Sequence, residues 1–192
     1  MMRDLSLRLD LVEKKIKEPA FRQNKGLGNE VGYYVFDYPA DQELLVRQRI
    51  DYLKAKNAKG TDGFELVVFD LYDVIIDILE QEGFLEQCFG FEQKGGMPRI
   101  VKAVGNLLQI NDDCSLLVDH IQKNTPRDAV VFLTGIGKCY PILRSHKVLN
   151  NLHQAIDRVP VVLFFPGRYD GLELMLFGEI KADYYRAFKL VD

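Results

Sequence analysis

Leu5, Leu9, Val12 and Ile16 fall at the spacing of one helix face, with charged residues filling the turns between them. The pattern predicts an amphipathic helix over 5–17, with Asp4 as its N-cap. Pro19 and the glycines at 26, 28 and 32 predict a loop, and the aromatic and β-branched run at 33–37 predicts a first strand. Pro39 then opens a helix with Asp41 and Glu43 in its first turn and Lys54, Lys56 and Lys59 towards its end. That charge order complements the helix dipole.

Residues 64–70 read as a second strand. Leu71, Val74, Ile75, Ile78 and Leu79 then mark one face of a helix. The stretch 84–126 reads as wholly helical. Within it, Pro98 starts a helix with Ile100, Val101, Val104, Leu107 and Leu108 on one face. Asn111 or Asp112 starts another with Cys114, Leu117, Val118 and Ile121 inward, and Pro126 stops it. A-V-V-F-L-T (129–134) and V-V-L-F-F (161–165) are the third and fourth strands, and Pro141 is expected to open a helix between them that runs to about Ile156. E-L-M-L-F-G (173–178) and Y-Y-R-A-F-K-L (184–190) read as short strands, close enough in sequence to pair as a hairpin.

Continuously apolar strands separated by helices are buried on both faces, the signature of a parallel α/β sheet. The predicted fold is therefore a single three-layer α/β domain spanning 1–192. It has a mostly parallel sheet flanked by helices, a P-loop- or Rossmann-like core without a functional P-loop, a helical insertion over 71–126 and an antiparallel C-terminal edge.

The net charge of −3, from 25 basic and 28 acidic residues, disfavours an electrostatically driven DNA clamp. The opening M-M-R-D-L-S-L-R mixes charge into every turn, unlike a signal peptide, and the longest apolar runs are too short to cross a bilayer. Three widely spaced cysteines, 88, 114 and 139, contain no C-x-x-C pair, which points to reduced thiols and a cytoplasmic location.

The run T-G-I-G-K-C (134–139) follows a strand and precedes a helix, where phosphate loops sit. A Walker A loop would place its first glycine at Phe132 and its hydroxyl at Cys139, so both requirements fail. G-L-G-N-E-V-G (26–32) precedes a strand, whereas a dinucleotide loop follows one. Asp37 and Asp70 each end a V-F-D strand, with Asp73 one turn beyond. On parallel strands such carboxylates lie at the ligand edge and could hold magnesium. The preferred reading makes Asp70 a helix cap and Asp37 the start of a turn. Cys139, His146 and His153 are seven residues apart, so on one helix they stand roughly 10 Å apart, too far for one zinc. Ser145 and His146 do not face each other on a helix. Arg144, His146 and Lys147 could form a small basic face, although a solvated helix surface is preferred. No cofactor and no metal is expected.

Several blocks, in order, resemble the BrxB family of BREX phage-exclusion systems. They are G-L-G-N-E-V-G-Y-Y-V-F-D-Y-P (26–39), V-F-L-T-G-I-G-K-C-Y-P-I-L-R-S-H-K-V-L-N-N-L (131–152), P-V-V-L-F-F-P-G-R-Y-D-G (160–171) and L-M-L-F-G followed by Y-Y-R-A-F-K-L. The resemblance runs from about residue 26 to the end and is weakest across 71–126. It implies a place in a multi-gene system with a DNA adenine methyltransferase (PglX), an alkaline-phosphatase-like protein (PglZ) and a large ATPase (BrxC). It carries over no catalytic residues. The expected role is that of a non-catalytic subunit acting through protein contacts, with PglZ the first choice of partner and BrxC the second. Tyr140, Tyr184, Tyr185 and Arg186 are of types enriched at binding hot spots. Candidate partner- or phosphate-binding residues are Gly135, Gly137, Lys138, Arg144, His146, Lys147, Arg168, Tyr169 and Asp170. The alternatives are a nucleotide- or metal-dependent enzyme using Asp37, Asp70 and Asp73, and a DNA-binding adaptor using 144–147.

Overall fold

A computed structural model describes residues 5–23, 32–110, 115–184 and 187–191. Helix α1 (Leu5–Lys17) has the predicted bounds and buries the four predicted residues. After the short α2 (Pro19–Arg22) come β1 (Tyr33–Tyr38), α3 (Glu43–Lys56), α4 (Lys59–Asp62) and β2 (Glu65–Asp70). Three helices follow, α5 (Leu71–Gln81), α6 (Leu85–Leu107) and α7 (Leu116–Lys123). The chain ends with β3 (Ala129–Thr134), α8 (Ser145–Ala155), β4 (Val161–Tyr169), β5 (Glu173–Leu176), β6 (Ile180–Tyr184) and β7 (Phe188–Lys189).

The main sheet has the order β2-β3-β4-β1-β7, and every neighbouring pair in it is parallel. Side chains alternate across a strand, so each central strand feeds two cores. Tyr33, Val35, Val131, Leu133, Val161, Leu163 and Phe165 face the layer of α5 to α8. Tyr34, Phe36, Val130, Phe132, Val162 and Phe164 face α1 and α3. The result is the expected three-layer α/β sandwich.

Four details differ from expectation. Residues 84–126 are not wholly helical, since 108–110 form turns and the Ser115 hydroxyl donates to the Leu108 carbonyl just before α7 begins. The break in α6, where Gly96 takes φ 60°, falls by contrast at the expected helix start near Pro98. The expected starts at Asn111 or Asp112, like the Asp4 cap and Cys114, lie outside the described residues. Pro141 does not open a helix. Residues 136–142 form successive turns, in which the Cys139 thiol donates to the Gly135 carbonyl, and α8 starts only at Ser145. Strand β4 continues to Tyr169, and its extension carries an antiparallel meander of β5 and β6. The last strand, β7, does not pair with β5. It lies parallel to β1, because Tyr169 Oη donates to the Ala187 carbonyl (2.8 Å) and accepts from its amide (3.1 Å), steering the chain back to the sheet.

An ion pair ties α1 to the end of β1. Arg8 donates to Asp37 Oδ1 (2.8 Å) and to the Asp37 carbonyl (2.7 Å) and stacks over Phe36. The Tyr169 amide donates to the other Asp37 oxygen at 3.0 Å. The side chains are only 11% and 17% exposed, so removing one partner strands a charge. Arg8→Met should lower unfolding free energy by about 2–3 kcal/mol, and adding Asp37→Asn should recover part of the loss. Denaturant melts of both variants test this, and an Arg8→Met protein as stable as wild type would refute it.

Half-buried His153 packs edge-on against Tyr33 at 4.1 Å, and burial lowers its pKa from 6.5. The folded ring holds a proton less readily than the unfolded chain, so stability should fall as pH drops below 6.5. Urea midpoints should show a steeper acid loss for wild type than for His153→Gln. Equal slopes would remove His153 as the cause.

Candidate functional site

The carboxyl ends of β1, β2 and β3 converge on one side of the sheet, where open α/β folds place ligands. Two adjoining clefts lie there. The larger, about 390 Å³, runs between α3 and the β2–α5 corner. The smaller, about 200 Å³, is bounded by Gly135, Gly137, Lys138, Pro166 and Phe177. Tyr38, Glu43 and Arg47 line both.

Glu43 organises their shared wall. It accepts from Tyr38 Oη at 2.5 Å and from Arg47 Nε at 2.8 Å. Burial, reinforced by the Glu43 carboxylate, pushes the Tyr38 pKa well above that of an ordinary phenol. Tyr38 therefore stays protonated as a donor.

Asp70 closes the other side. Its Oδ1 accepts from the Tyr72 and Asp73 amides, capping α5, and its Oδ2 pairs with Lys138 Nζ at 2.6 Å. Lys138 lies 3.8 Å from Asp73 and over the Tyr72 ring. Gly135 lies against this carboxylate at φ 74°, and a Cβ there would overlap it. The strand-to-helix connection is thus packed onto Asp70, with its lysine directed at carboxylates. Burial first, then nearby Asp70, pushes the Cys139 thiol pKa up to about 12, so it remains a neutral donor to the Gly135 carbonyl.

The structure brings Asp70, Asp73, Gly135, Gly137 and Lys138 to these clefts. Asp37 belongs to a separate network with Arg8 and Tyr169. Tyr169 is buried in the core. Asp170 accepts from the Leu172 and Glu173 amides, which hold its carboxyl below the usual range, and Arg168 is exposed on β4. Arg144 is exposed immediately before α8, and Lys147 is half-buried within it. The side chains of His146 and Tyr184 lie outside the described residues, as do Tyr185 and Arg186. Among the described residues no group of three His, Cys, Asp or Glu is placed to hold a metal ion.

The larger cleft is acidic. Five carboxylates, from Glu43, Asp51, Asp70, Asp73 and Asp77, line it against the cations of Arg47 and Lys54. Sequence reasoning found Asp70 and Asp73 but missed Glu43, Arg47, Asp51 and Asp77. The available signal was spacing: 43, 47 and 51 recur by four on α3, and 73 and 77 by four on α5. Only tertiary packing reveals that these two stripes border one cleft.

The described helices include none long and apolar enough to cross a membrane. No solved structure is significantly similar to the chain. The family model described as BREX protein BrxB matches residues 67–190. A BREX protein BrxB of Bacillus cereus (strain H3081.97) is 49% identical over 192 residues, covering all of both chains. A BREX protein BrxB of Escherichia coli O9:H4 (strain HS) is 33% identical over 190 residues, covering 97% of this chain and 92% of that one. By a family-model match across most of its sheet and by these full-length relatives, the chain belongs to the BrxB family of BREX proteins.

Proposed function

We propose that this BREX component is a non-catalytic subunit that works by holding other BREX proteins, a PglZ-type protein first and a BrxC-type ATPase second. The observation that carries this reading is the occupation of the strand-end chemistry. Asp37 is bound by Arg8 and the Tyr169 amide, Asp70 by a helix terminus and Lys138, and the Gly135 turn by Asp70 itself. A phosphate cradle needs main-chain N–H groups and a lysine turned towards an anion, and carboxylates beside the loop would repel one. A general acid or base needs a pKa near working pH and access to substrate. The Cys139 thiol, near 12 and 1% exposed, has neither.

Co-expression with each system member should yield a complex that survives about 0.3 M salt, where exposed charge contacts are largely screened. Failure to co-purify with any of them would sink the reading, as would calorimetric heat on titrating magnesium-ATP. If the 134–139 turn is a structural connector, Gly135→Ala should reduce stability by about 2–4 kcal/mol, through backbone strain and loss of the Asp70 cap. A melt unchanged by that substitution would return the turn to the list of candidate ligand loops.

A further inference from the structure

Strand β2 ends the main sheet and has a hydrogen-bonded neighbour, β3, on one side. Main-chain groups alternate in direction along a strand. Glu65, Val67 and Phe69 turn theirs towards β3, so Leu66 and Val68 turn theirs outward. The Leu66 amide is satisfied by Asn57 Oδ1 at 2.8 Å, and the Asn57 amide donates to the Phe64 carbonyl. Nothing among the described residues does the same for Val68. The stretch beyond Asn57 is an open edge, and it forms one wall of the acidic cleft.

From this juxtaposition we propose that the cleft is a docking groove for an extended, lysine- or arginine-rich segment of a partner protein, which adds a strand along Val68. Pairing on an edge supplies main-chain hydrogen bonds, and side-chain surroundings supply selectivity. Here the floor is apolar, from Val46, Ile50 and Val68, and the carboxylates of the rim outnumber its cations even with Lys138 counted against Asp70. Glu43 and Asp70 are already paired with Arg47 and Lys138, whereas Asp51 and Asp77 stand exposed on α3 and α5. Alternate residues of an incoming strand project to opposite sides, so basic side chains can meet the rim while apolar ones meet the floor. The same charge opposes two other occupants. A second copy would bring the same acidic rim against this one, and a nucleic-acid backbone would bring phosphates.

The inference rests on the subunit reading above, but its test needs no other BREX protein. The probe is a fluorescein-labelled seven-residue peptide of alternating lysine and valine, titrated into the full chain at low salt, with a glutamate–valine peptide as control. Two variants separate the contributions. Val68→Pro removes the outward amide and keeps the ladder to β3, a position at which edge strands tolerate proline. Asp51→Lys/Asp77→Lys reverses the exposed rim. Circular dichroism and melting confirm that each folds, and if the proline variant does not, protection of the wild-type Val68 amide against hydrogen exchange on adding the basic peptide is the readout of strand pairing. The basic peptide should bind wild type and protect the Val68 amide, each variant should weaken binding roughly tenfold or more, and the acidic peptide should not bind. Absence of binding to wild type overturns the proposal. So does loss in the charge variant alone with Val68→Pro unaffected, which would mean general electrostatic adhesion. Positive peptide binding beside failed co-purification would leave the groove standing and remove the subunit reading.

Discussion

A parallel sheet built from uninterrupted apolar strands has no face it can show to water. That constraint organises this molecule. Odd and even positions along β1, β3 and β4 deliver large side chains to opposite sides, so a helical layer is required on each. Fully burying one such side chain contributes about 1.5–3 kcal/mol. Neither layer can be removed without exposing half of every central strand. The connections follow from this: α3 carries the chain across one face from β1 to β2, and α5 to α8 return it across the other.

The parts of the fold governed by period were legible in the sequence. The apolar face of α1, the runs of β1 to β4 and the stripe on α5 each repeat a simple spacing, and each formed at that spacing, with β4 extended beyond it to Tyr169. The parts governed by single contacts were not. Leu143 donates to the Cys139 carbonyl in a string of turns, so the helix at Pro141 gives way to one beginning four residues later. The destination of β7 depends on one phenol, Tyr169, reaching Ala187, and no local pattern at 184–190 encodes that reach. The bend at Gly96, by contrast, falls where Pro98 signalled a new helical segment, and glycine supplies the conformation it needs.

The candidate site divides in the same way. Two strand-end aspartates are visible as V-F-D repeats, yet the repeat cannot say that one is claimed by an arginine from α1 and the other by a helix terminus. Conversely, the α3 and α5 carboxylates that give the cleft its character look like ordinary solvated helix faces until the two helices are set on either side of β2. The segments 131–152 and 160–171, which lie within the range matched by the BrxB family model, supply turn, core and strand residues. Gly167 illustrates the point: it faces Leu176 across the β4–β5 pair, and a side chain there would collide with the Met175 carbonyl.

The position of β1 also bears on how the chain comes into being. This strand is made well before its neighbours on both sides, β4 and β7, with β2, β3 and the helices α3 to α8 intervening before β4. Until they emerge, an aromatic strand has no companions, and the middle of the sheet cannot close. The architecture therefore makes closure of the sheet's centre wait on segments far downstream of β1, and the nascent chain must keep Tyr33 to Tyr38 from straying into other contacts until they arrive.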